Sequence, residues 1–323
     1  MAKAIRFHRA GGPEVLVLED VEVSPPAHGE VLVRHAAIGV NYIDTYHRSG
    51  AYAVPLPSGL GSEAAGVVES VGGGVRDLKP GDRVAYAVAT PGSYAEFRSL
   101  QADRVVKIPD AVSFETAASM MLKGMTVHYL AHRTFQVKRG DVVLLHAAAG
   151  GVGLIACQWL SEIGATVIGT VGSEEKASLA RAHGCHHTIV YTRENFVERV
   201  KKITGGKGVS VVYDSVGKDT FNGSLRCLNT LGMLVLFGAS SGAVPEVSVA
   251  ALQKGSLFFT RPGLFHYIAS PADLESGARA LLDMVQSGRV KIEIGARYPL
   301  AEAAQSHRDL AARKTTGSVI LQP

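Results

Sequence analysis

Cysteine is scarce in this sequence, and no two cysteines lie close together. The 323 residues include three, Cys157, Cys185 and Cys227. Structural zinc sites need closely spaced thiolates, and small disulfide-bonded domains need an even set of cysteines in a short chain. The spacing therefore excludes both frameworks. It favours free thiols in a reducing compartment, so we expect a cytoplasmic protein.

Long hydrophobic runs and long blocks of one charge are also lacking. The most apolar stretch, residues 142–160, is interrupted by three glycines, a histidine and a glutamine. It divides naturally into a strand, a turn and a helix, so we reject a membrane-spanning segment. The net charge of +4 comes without a basic stripe interleaved with aromatic residues. This disfavours nucleic-acid binding, although a positive charge helps to attract an anionic cofactor.

Residues 1–124 have the pattern of an all-β unit. Strand-like runs such as Val31–Ala37 and Ala64–Val71 alternate with turns at Gly72–Gly74 and Lys79–Asp82. In the second turn, proline sets φ at one position and glycine supplies a positive φ at the next. Short strands separated by turn residues predict a mainly-β domain.

From residue 125 the pattern changes to alternating strands and helices. Segments of helical length separate six β-rich runs, which are Asp141–His146, Thr166–Val171, His187–Val190, Val209–Tyr213, Met233–Phe237 and Leu257–Thr260. This alternation predicts an α/β fold with a doubly wound parallel six-stranded sheet, of the Rossmann type, over residues 125–262.

Beyond residue 262 the alternation stops. Residues 263–323 contain one convincing helix, Asp273–Ser287, and a closing strand, Gly317–Leu321. Such a segment is too short to form an enzyme domain of its own. We expect it to fold back onto residues 1–124 and to complete a catalytic domain that binds the substrate.

The strongest motif lies between the first strand and the first helix of the predicted parallel sheet. Residues 151–156 match the pattern G-x-G-x-x-A directly after an apolar run. Gly151 permits a tight turn, Gly153 lets the backbone approach a pyrophosphate, and the small Ala156 lets helix and strand pack closely. The free N–H groups at the helix start favour the diphosphate. We therefore predict a dinucleotide site that includes Gly150 and Val152.

The end of the second strand indicates which dinucleotide binds. Enzymes that use NAD usually place an acid there to bind the ribose hydroxyls, but this strand ends in Gly172 and Ser173. Ser173 can donate a hydrogen bond to a 2′-phosphate, and Lys176 lies one helical turn further on. Glu174 and Glu175 stand nearby, and we expect them to face solvent in the first turn of the helix. The pattern favours NADPH.

Five segments carry a resemblance to a known superfamily. They are Ile38–Tyr46, Leu60–Gly66, Leu122–Thr126, His146–Gly153 and Val212–Gly217. On these segments the whole chain resembles the medium-chain dehydrogenases/reductases, and within them the zinc-free quinone oxidoreductase (zeta-crystallin-like) branch. The resemblance implies a GroES-like fold for the mainly-β domain, a homodimer, and the reduction of quinones by NADPH.

The resemblance also bears on metal binding. Zinc alcohol dehydrogenases of this superfamily carry the motifs G-V-C-x-x-D and G-H-E-x-x-G, whose cysteine and histidine bind zinc. In this sequence the two ligand positions hold Asn41 and Ser62. Neither an amide nor a hydroxyl competes with thiolate and imidazole for zinc. We expect no metal ion, and oxidation of alcohols is disfavoured.

The resemblance assigns further residues to the site. Asn41 and Tyr46 would lie beside the nicotinamide and the acceptor, and the other candidates on the acceptor side are Tyr52, Lys123 and Arg261. On the cofactor side the same match adds Thr126, Tyr191, Ser215, Phe237, Ser240 and Arg313. Simpler roles stay open for some of these residues: Tyr46 as an apolar filler, Thr126 as a helix cap and Tyr191 as a strand-end aromatic.

Two other functions are compatible with the same sequence. A reductase of enone double bonds also lacks zinc and uses the same scaffold. A binding protein of the crystallin or RNA-binding kind would hold NADPH as a ligand only, but no RNA-binding motif is evident. Quinone reduction is the function that the motifs favour.

Overall fold

The computed structural model describes residues 1–244 and 246–323, which form two compact units. The first unit comprises Met1–Met125, Ile268–Gln286 and Ile292–Pro323. The second comprises Thr126–Tyr267 and Ser287–Lys291. The bounds and the roles that we predicted for the substrate and cofactor domains stay predictions.

The strands are numbered in chain order. They are β1 (Ala2–Phe7), β2 (Val17–Val21), β3 (Glu30–Val40), β4 (Ser58–Gly59), β5 (Glu63–Val71), β6 (Arg83–Ala87), β7 (Phe97–Gln101), β8 (Val106–Lys107), β9 (Val142–Leu145), β10 (Thr166–Val171), β11 (His187–Val190), β12 (Val209–Asp214), β13 (Leu228–Leu236), β14 (Phe258–Thr260), β15 (Ile294–Pro299) and β16 (Ser318–Gln322).

The α-helices are α1 (Tyr42–Ser49), α2 (Phe114–Tyr129), α3 (Gly151–Ile163), α4 (Glu174–Ala182), α5 (Phe196–Ile203), α6 (Phe221–Cys227), α7 (Ala250–Gln253), α8 (Leu264–Tyr267), α9 (Pro271–Gln286) and α10 (Ala303–Ala311). Short 3₁₀ turns span Pro13–Val15, Ala102–Arg104 and Leu300–Glu302, and a π-helical turn spans Leu130–Thr134. No helix in the described part of the chain is long and apolar enough to cross a membrane.

The second unit is built on a parallel six-stranded sheet. Its strand order is β11-β10-β9-β12-β13-β14, and every pairing between neighbours is parallel. The central strand β9 is apolar because helices cover both faces of such a sheet. Its core includes Leu144, Ile168, Val212 and Leu234. The doubly wound sheet predicted from the sequence is confirmed.

Two elements begin earlier than the sequence pattern suggested. Strand β13 starts at Leu228 rather than at Met233, because Leu228 pairs with Val209 and the register then shifts. Polar residues around this shift hide the strand from a search for apolar runs. Helix α9 starts at Pro271, where the missing N–H of proline is harmless, and the Ser270 hydroxyl accepts from the N–H of Asp273 at 3.1 Å.

The first unit is dominated by antiparallel strands. The long strand β3 pairs with β5, β7 and β16, and the larger sheet follows the order β15-β16-β3-β5-β6-β8. A smaller sheet has the order β2-β1-β4. Side chains of β1, β3, β5 and β16 share one apolar core, which includes Phe7, Ile38, Ala64 and Leu321.

A buried chain of hydrogen bonds links α1 to α10 within the first unit. The guanidinium of Arg48 lies 3.1 Å from His307 Nδ1, His307 Nε2 lies 3.1 Å from Tyr94 Oη, and Tyr94 donates to Asp44 Oδ2 at 2.9 Å. Because arginine only donates, His307 Nδ1 accepts and the ring proton sits on Nε2. The Asp44 carboxylate also accepts from the backbone N–H of Asn41 at 2.8 Å. The chain therefore fixes the start of α1.

Two titratable groups of this chain, His307 and Asp44, predict opposite dependences of stability on pH. Burial lowers the pKa of His307 from 6.5 to about 3, so the stability it contributes is lost as pH falls below 6.5. Burial raises the pKa of Asp44 from 3.8 to about 7, so its contribution is lost as pH rises from 4 to 7. We compare the wild type with His307→Gln and Asp44→Asn by denaturant unfolding.

Between pH 6 and pH 4, the free energy of unfolding of the wild type should fall relative to His307→Gln by up to about 1.4 kcal/mol per pH unit. Relative to Asp44→Asn it should rise over the same interval. Differences that do not change with pH would show that these groups titrate alike in the folded and unfolded chains.

Candidate active site

The glycine-rich loop of the second unit packs tightly against itself. It follows β9, and α3 begins after Gly150, which has no side chain to cap the first N–H groups. Ala147 adopts a left-handed φ of 55°. A Cβ at Gly153 would lie 2.3 Å from the carbonyl oxygen of Ala147. Gly153 is thus required by the fold of the loop as well as by any approach of a phosphate.

The loop lies where the strand order of the parallel sheet reverses. Strands β9 and β12 are neighbours at the centre of the sheet, with β10 and β13 on either side. Ligands of open α/β sheets bind at the carboxyl ends of the strands beside such a reversal. The uncapped N–H groups of Gly151, Val152 and Gly153 suit a pyrophosphate there, because the helix dipole adds a partial positive charge.

The end of β10 meets the residue that follows β11. A Cβ at Gly172 would lie 3.0 Å from the hydroxyl of Tyr191, and Thr192 donates to the Gly172 carbonyl at 3.1 Å. Ser173 caps α4 by accepting from the N–H of Lys176 at 3.3 Å. The structure therefore brings together Gly172, Ser173, Lys176 and Tyr191, all of which were predicted to lie on the cofactor side.

The acids beside this group have partners of their own. Glu174 lies 3.4 Å from Arg193, and both acids are exposed, as expected from the sequence. A hydrogen bond from Ser173 lowers the pKa of Glu175. The hydroxyl that we expected to donate to a phosphate thus donates to Glu175 here, while its oxygen accepts as the helix cap.

The ends of β12 and β13 lie against each other. The backbone N–H of Ser240 donates to the Ser215 carbonyl at 3.1 Å, and that of Phe237 donates to the Asp214 carbonyl at 2.9 Å. A Cβ at Gly238 would lie 2.8 Å from the Ser215 carbonyl oxygen. Ser215, Phe237 and Ser240, predicted separately, are therefore neighbours at the carboxyl edge of the sheet.

In the first unit, one buried carboxylate collects the candidate polar residues. Glu63 Oε2 accepts from Asn41 Nδ2 at 2.8 Å and from Lys123 Nζ at 3.1 Å, while Oε1 accepts from the N–H of Leu122 at 2.8 Å. Glu63 is fully buried. Sequence reasoning assigned no role to this residue, although an acid inside the apolar segment Leu60–Gly66 was a sign of its importance.

Aromatic side chains of α1 and the following loop form a second group. The rings of Tyr42 and Tyr46 are 5.5 Å apart, and those of Tyr46 and Tyr52 are 5.1 Å apart. Arg313 has a left-handed φ of 57° and lies close to Tyr42. Burial raises the pKa of Tyr42, and the charge of Arg313 opposes that effect in part. Elsewhere, Thr126 lies buried in α2, and Arg261 is exposed just after β14.

Comparison with known proteins identifies the family. Residues 27–110 match the alcohol dehydrogenase GroES-like domain, and residues 151–275 match the zinc-binding dehydrogenase family. The chain is 52% identical to a quinone oxidoreductase of Pseudomonas aeruginosa over 100% of both chains. It therefore belongs to the medium-chain dehydrogenase/reductase superfamily and, within it, to the quinone oxidoreductase family.

Two further members of the superfamily are informative. The crystal structure of Escherichia coli quinone oxidoreductase complexed with NADPH matches with a TM-score of 0.98 and 49% identity, covering 100% of both chains. A 2-haloacrylate reductase from a Burkholderia species is 46% identical over 100% of this chain and 99% of its own. The predicted GroES-like fold of the mainly-β part is confirmed.

Although one matching family is described as zinc-binding, this member of the superfamily differs at the ligand positions. The side-chain amide of Asn41 donates a hydrogen bond to Glu63, and the Ser62 hydroxyl is buried without a partner among the described residues. In the same part of the chain, no group of three or more His, Cys, Asp or Glu side chains is arranged around a possible metal ion. The ammonium of Lys123 supplies the positive charge beside Asn41.

The buried ion pair between Lys123 and Glu63 predicts a large effect on stability. Lys123→Met would leave the Glu63 charge buried without its counter-charge, and we expect a loss of about 3–5 kcal/mol in the free energy of unfolding. The double variant Lys123→Met with Glu63→Gln should recover much of this loss. Denaturant unfolding measures both.

The matched control is Lys201→Met, which removes an exposed partner of Glu198 at 3.2 Å and should change stability by less than about 1 kcal/mol. Equal losses in the two lysine variants would contradict the importance of the buried pair.

Proposed function

We propose that this chain reduces quinones by hydride transfer from NADPH without a metal ion. The observation that carries the proposal is a strand β10 that ends without an acid, in a sheet of the dinucleotide-binding order. Relatives about half identical to the chain are quinone oxidoreductases, and one was solved with NADPH.

The second unit would hold the cofactor. The first-turn N–H groups of α3, from Gly151 to Gly153, would bind the pyrophosphate, and Lys176 would face the 2′-phosphate beside Tyr191. The other predicted contacts are Thr126, Gly150, Gly172, Ser173, Ser215, Phe237, Ser240 and Arg313. When bound, NADPH supplies the hydride from its nicotinamide ring.

The first unit would receive the acceptor. Of the three N–H donors of the Lys123 ammonium, the described structure uses one, toward Glu63, so others can donate to an acceptor oxygen. Donors aimed at that oxygen stabilise the negative charge that develops on it. Tyr46 and Tyr52 offer aromatic faces to a planar ring. A quinone is already electrophilic, so positioning replaces the Lewis acid.

Oxidation of NADPH by a small set of acceptors tests the function. A benzoquinone should be reduced faster than an aliphatic aldehyde, and a chelator should leave the rate unchanged. No turnover of any quinone, or loss of activity that zinc restores, would overturn the proposal.

A second candidate is the reduction of an activated carbon–carbon double bond. It is favoured by the relative named 2-haloacrylate reductase, at 46% identity. Such an acceptor is polarised by its own carboxylate, and Lys123 would suit that anion. Faster turnover of 2-chloroacrylate than of benzoquinone would establish this alternative.

Cofactor choice is predicted to depend on charge at one ribose. A partly exposed lysine–phosphate contact contributes about 1–2 kcal/mol, so Lys176→Ala should weaken NADPH binding by roughly ten- to thirtyfold and leave NADH nearly unchanged. Ser173→Asp keeps a good helix cap but adds repulsion against the phosphate, and should shift the preference toward NADH. Titration calorimetry measures both affinities.

The control for cofactor choice is Lys202→Ala, which removes an exposed lysine of α5. It should leave both affinities unchanged. A wild type that prefers NADH would refute the assignment and would point instead to Glu174 or Glu175 as a ribose ligand.

Assembly and location complete the proposal. Strand β14 ends the sheet order, and its Phe258 is 53% exposed, so we propose a homodimer joined along this edge. Three buried free thiols support a cytoplasmic location.

Sedimentation should give a dimer for the wild type and a smaller species for Phe258→Lys. Leu56→Lys, at an exposed apolar residue of the first unit, should remain dimeric.

A further inference from the structure

A chain of buried hydrogen bonds runs beneath the glycine-rich loop. His146, the first residue after β9, lies with Nδ1 2.9 Å from Thr170 Oγ1 and with Nε2 2.9 Å from Ser224 Oγ. Ser224 in turn donates to Asp214 Oδ2 at 2.9 Å. None of these four residues is more than 2% exposed. These side chains are buried too deeply to contact a substrate, so their role must be a different one.

Counting protons fixes the direction of the chain. A serine hydroxyl has one proton, and Ser224 gives it to Asp214, so its oxygen must accept from His146 Nε2–H. Burial lowers the pKa of His146, although Asp214 opposes this effect, and the ring is therefore neutral. Nδ1 then accepts from the Thr170 hydroxyl. Each group therefore donates to the next one along the chain, from Thr170 on β10 to Asp214 at the end of β12.

The two ends of the chain reach the loops that surround the proposed cofactor. Thr170 precedes the tip of β10, and its carbonyl accepts from the N–H of Ala148 at 3.0 Å. Asp214 Oδ1 accepts from the N–H groups of Val216 at 2.8 Å and Gly217 at 3.1 Å, which shapes the turn that carries Ser215. The backbone N–H of His146 donates to the Tyr213 carbonyl at 3.0 Å.

We propose that His146 is a positioning residue that holds the glycine-rich loop, the tip of β10 and the turn after β12 in the arrangement that binds NADPH. An apolar side chain would fill the same space without the burial of polar atoms. The imidazole adds two hydrogen bonds in fixed directions, because Nδ1 faces Thr170 on β10 and Nε2 faces Ser224 on α6. This role rests on the proposed function, since it requires a dinucleotide at these loops.

The test compares variants of the chain for NADPH binding and kinetics. His146→Leu removes both links, whereas His146→Gln keeps a donor for Ser224. Thr170→Val deletes only the bond to His146 Nδ1, and Ser224→Ala deletes the bonds to His146 and Asp214. Both change the side-chain volume little, so they serve if His146→Leu does not fold. The matched control is His35→Gln in the first unit, where a buried histidine bonds to Ala95 O at 2.6 Å and Tyr86 Oη at 2.8 Å.

The expected result is a specific loss of cofactor affinity. His146→Leu should raise the Kd and KM for NADPH about tenfold, equivalent to about 1.4 kcal/mol, with kcat nearly unchanged at saturating NADPH. His146→Gln should restore part of the affinity, and His35→Gln should leave it intact. Nitrogen NMR of the wild type should find the His146 proton on Nε2.

Two outcomes would overturn the inference, and they are distinguishable from a failure of the proposed function. Wild-type affinity in His146→Leu, Thr170→Val and Ser224→Ala would show that the chain only fills space. An equal loss in His35→Gln would show a general effect of stability. A wild type that does not bind NADPH at all would refute the proposed function, and the role of His146 with it.

Discussion

A polar side chain that leaves water must recover its hydrogen bonds inside the protein, and both units of this chain are organised by that requirement. In the first unit, the carboxylate of Glu63 is satisfied by Asn41, Lys123 and the backbone of Leu122. In the second, the carboxylate of Asp214 accepts from the backbone N–H of Val216 and from the hydroxyls of Thr220 and Ser224. Loss of any one partner would leave a buried carboxylate short of a hydrogen bond, which costs folding free energy.

The same requirement accounts for the amide at Asn41, one of the two zinc-ligand positions of the superfamily. The amide of Asn41 donates a hydrogen bond to the buried carboxylate of Glu63, and Lys123 supplies the positive charge that the same carboxylate needs. The chain thus places the positive charge of an ammonium group beside Asn41. A positive charge of this kind suits acceptors that are already electrophilic, such as quinones, better than unactivated alcohols.

On the cofactor side, packing and binding impose the same residue. Gly153 is needed because a side chain would meet the carbonyl of Ala147, and a dinucleotide needs the same absence of a side chain for its phosphates. The left-handed Ala147 is held by hydrogen bonds from the residues on either side of it, His146 and Ala148, to β12 and β10. Rigidity of the loop is therefore built in before any ligand arrives.

The sequence by itself determined the features that depend on neighbouring residues. The alternation of strands and helices predicted the parallel sheet, the spacing of Gly151, Gly153 and Ala156 predicted the turn, and the absence of an acid at Gly172 and Ser173 favoured NADPH. Asn41 and Ser62 could be located because short motifs surround them. Each of these inferences rests on local backbone geometry or on a few consecutive side chains.

Only the tertiary structure decided which distant polar groups meet. Glu63 and Lys123 are 60 residues apart in the chain, His146 and Ser224 are 78 apart, and Arg48 and His307 are 259 apart. Ser173 also needed the structure, because its hydroxyl caps α4 and donates to Glu175. Such pairs depend on how strands and helices pack, and the periodicity of the sequence carries no information about that packing.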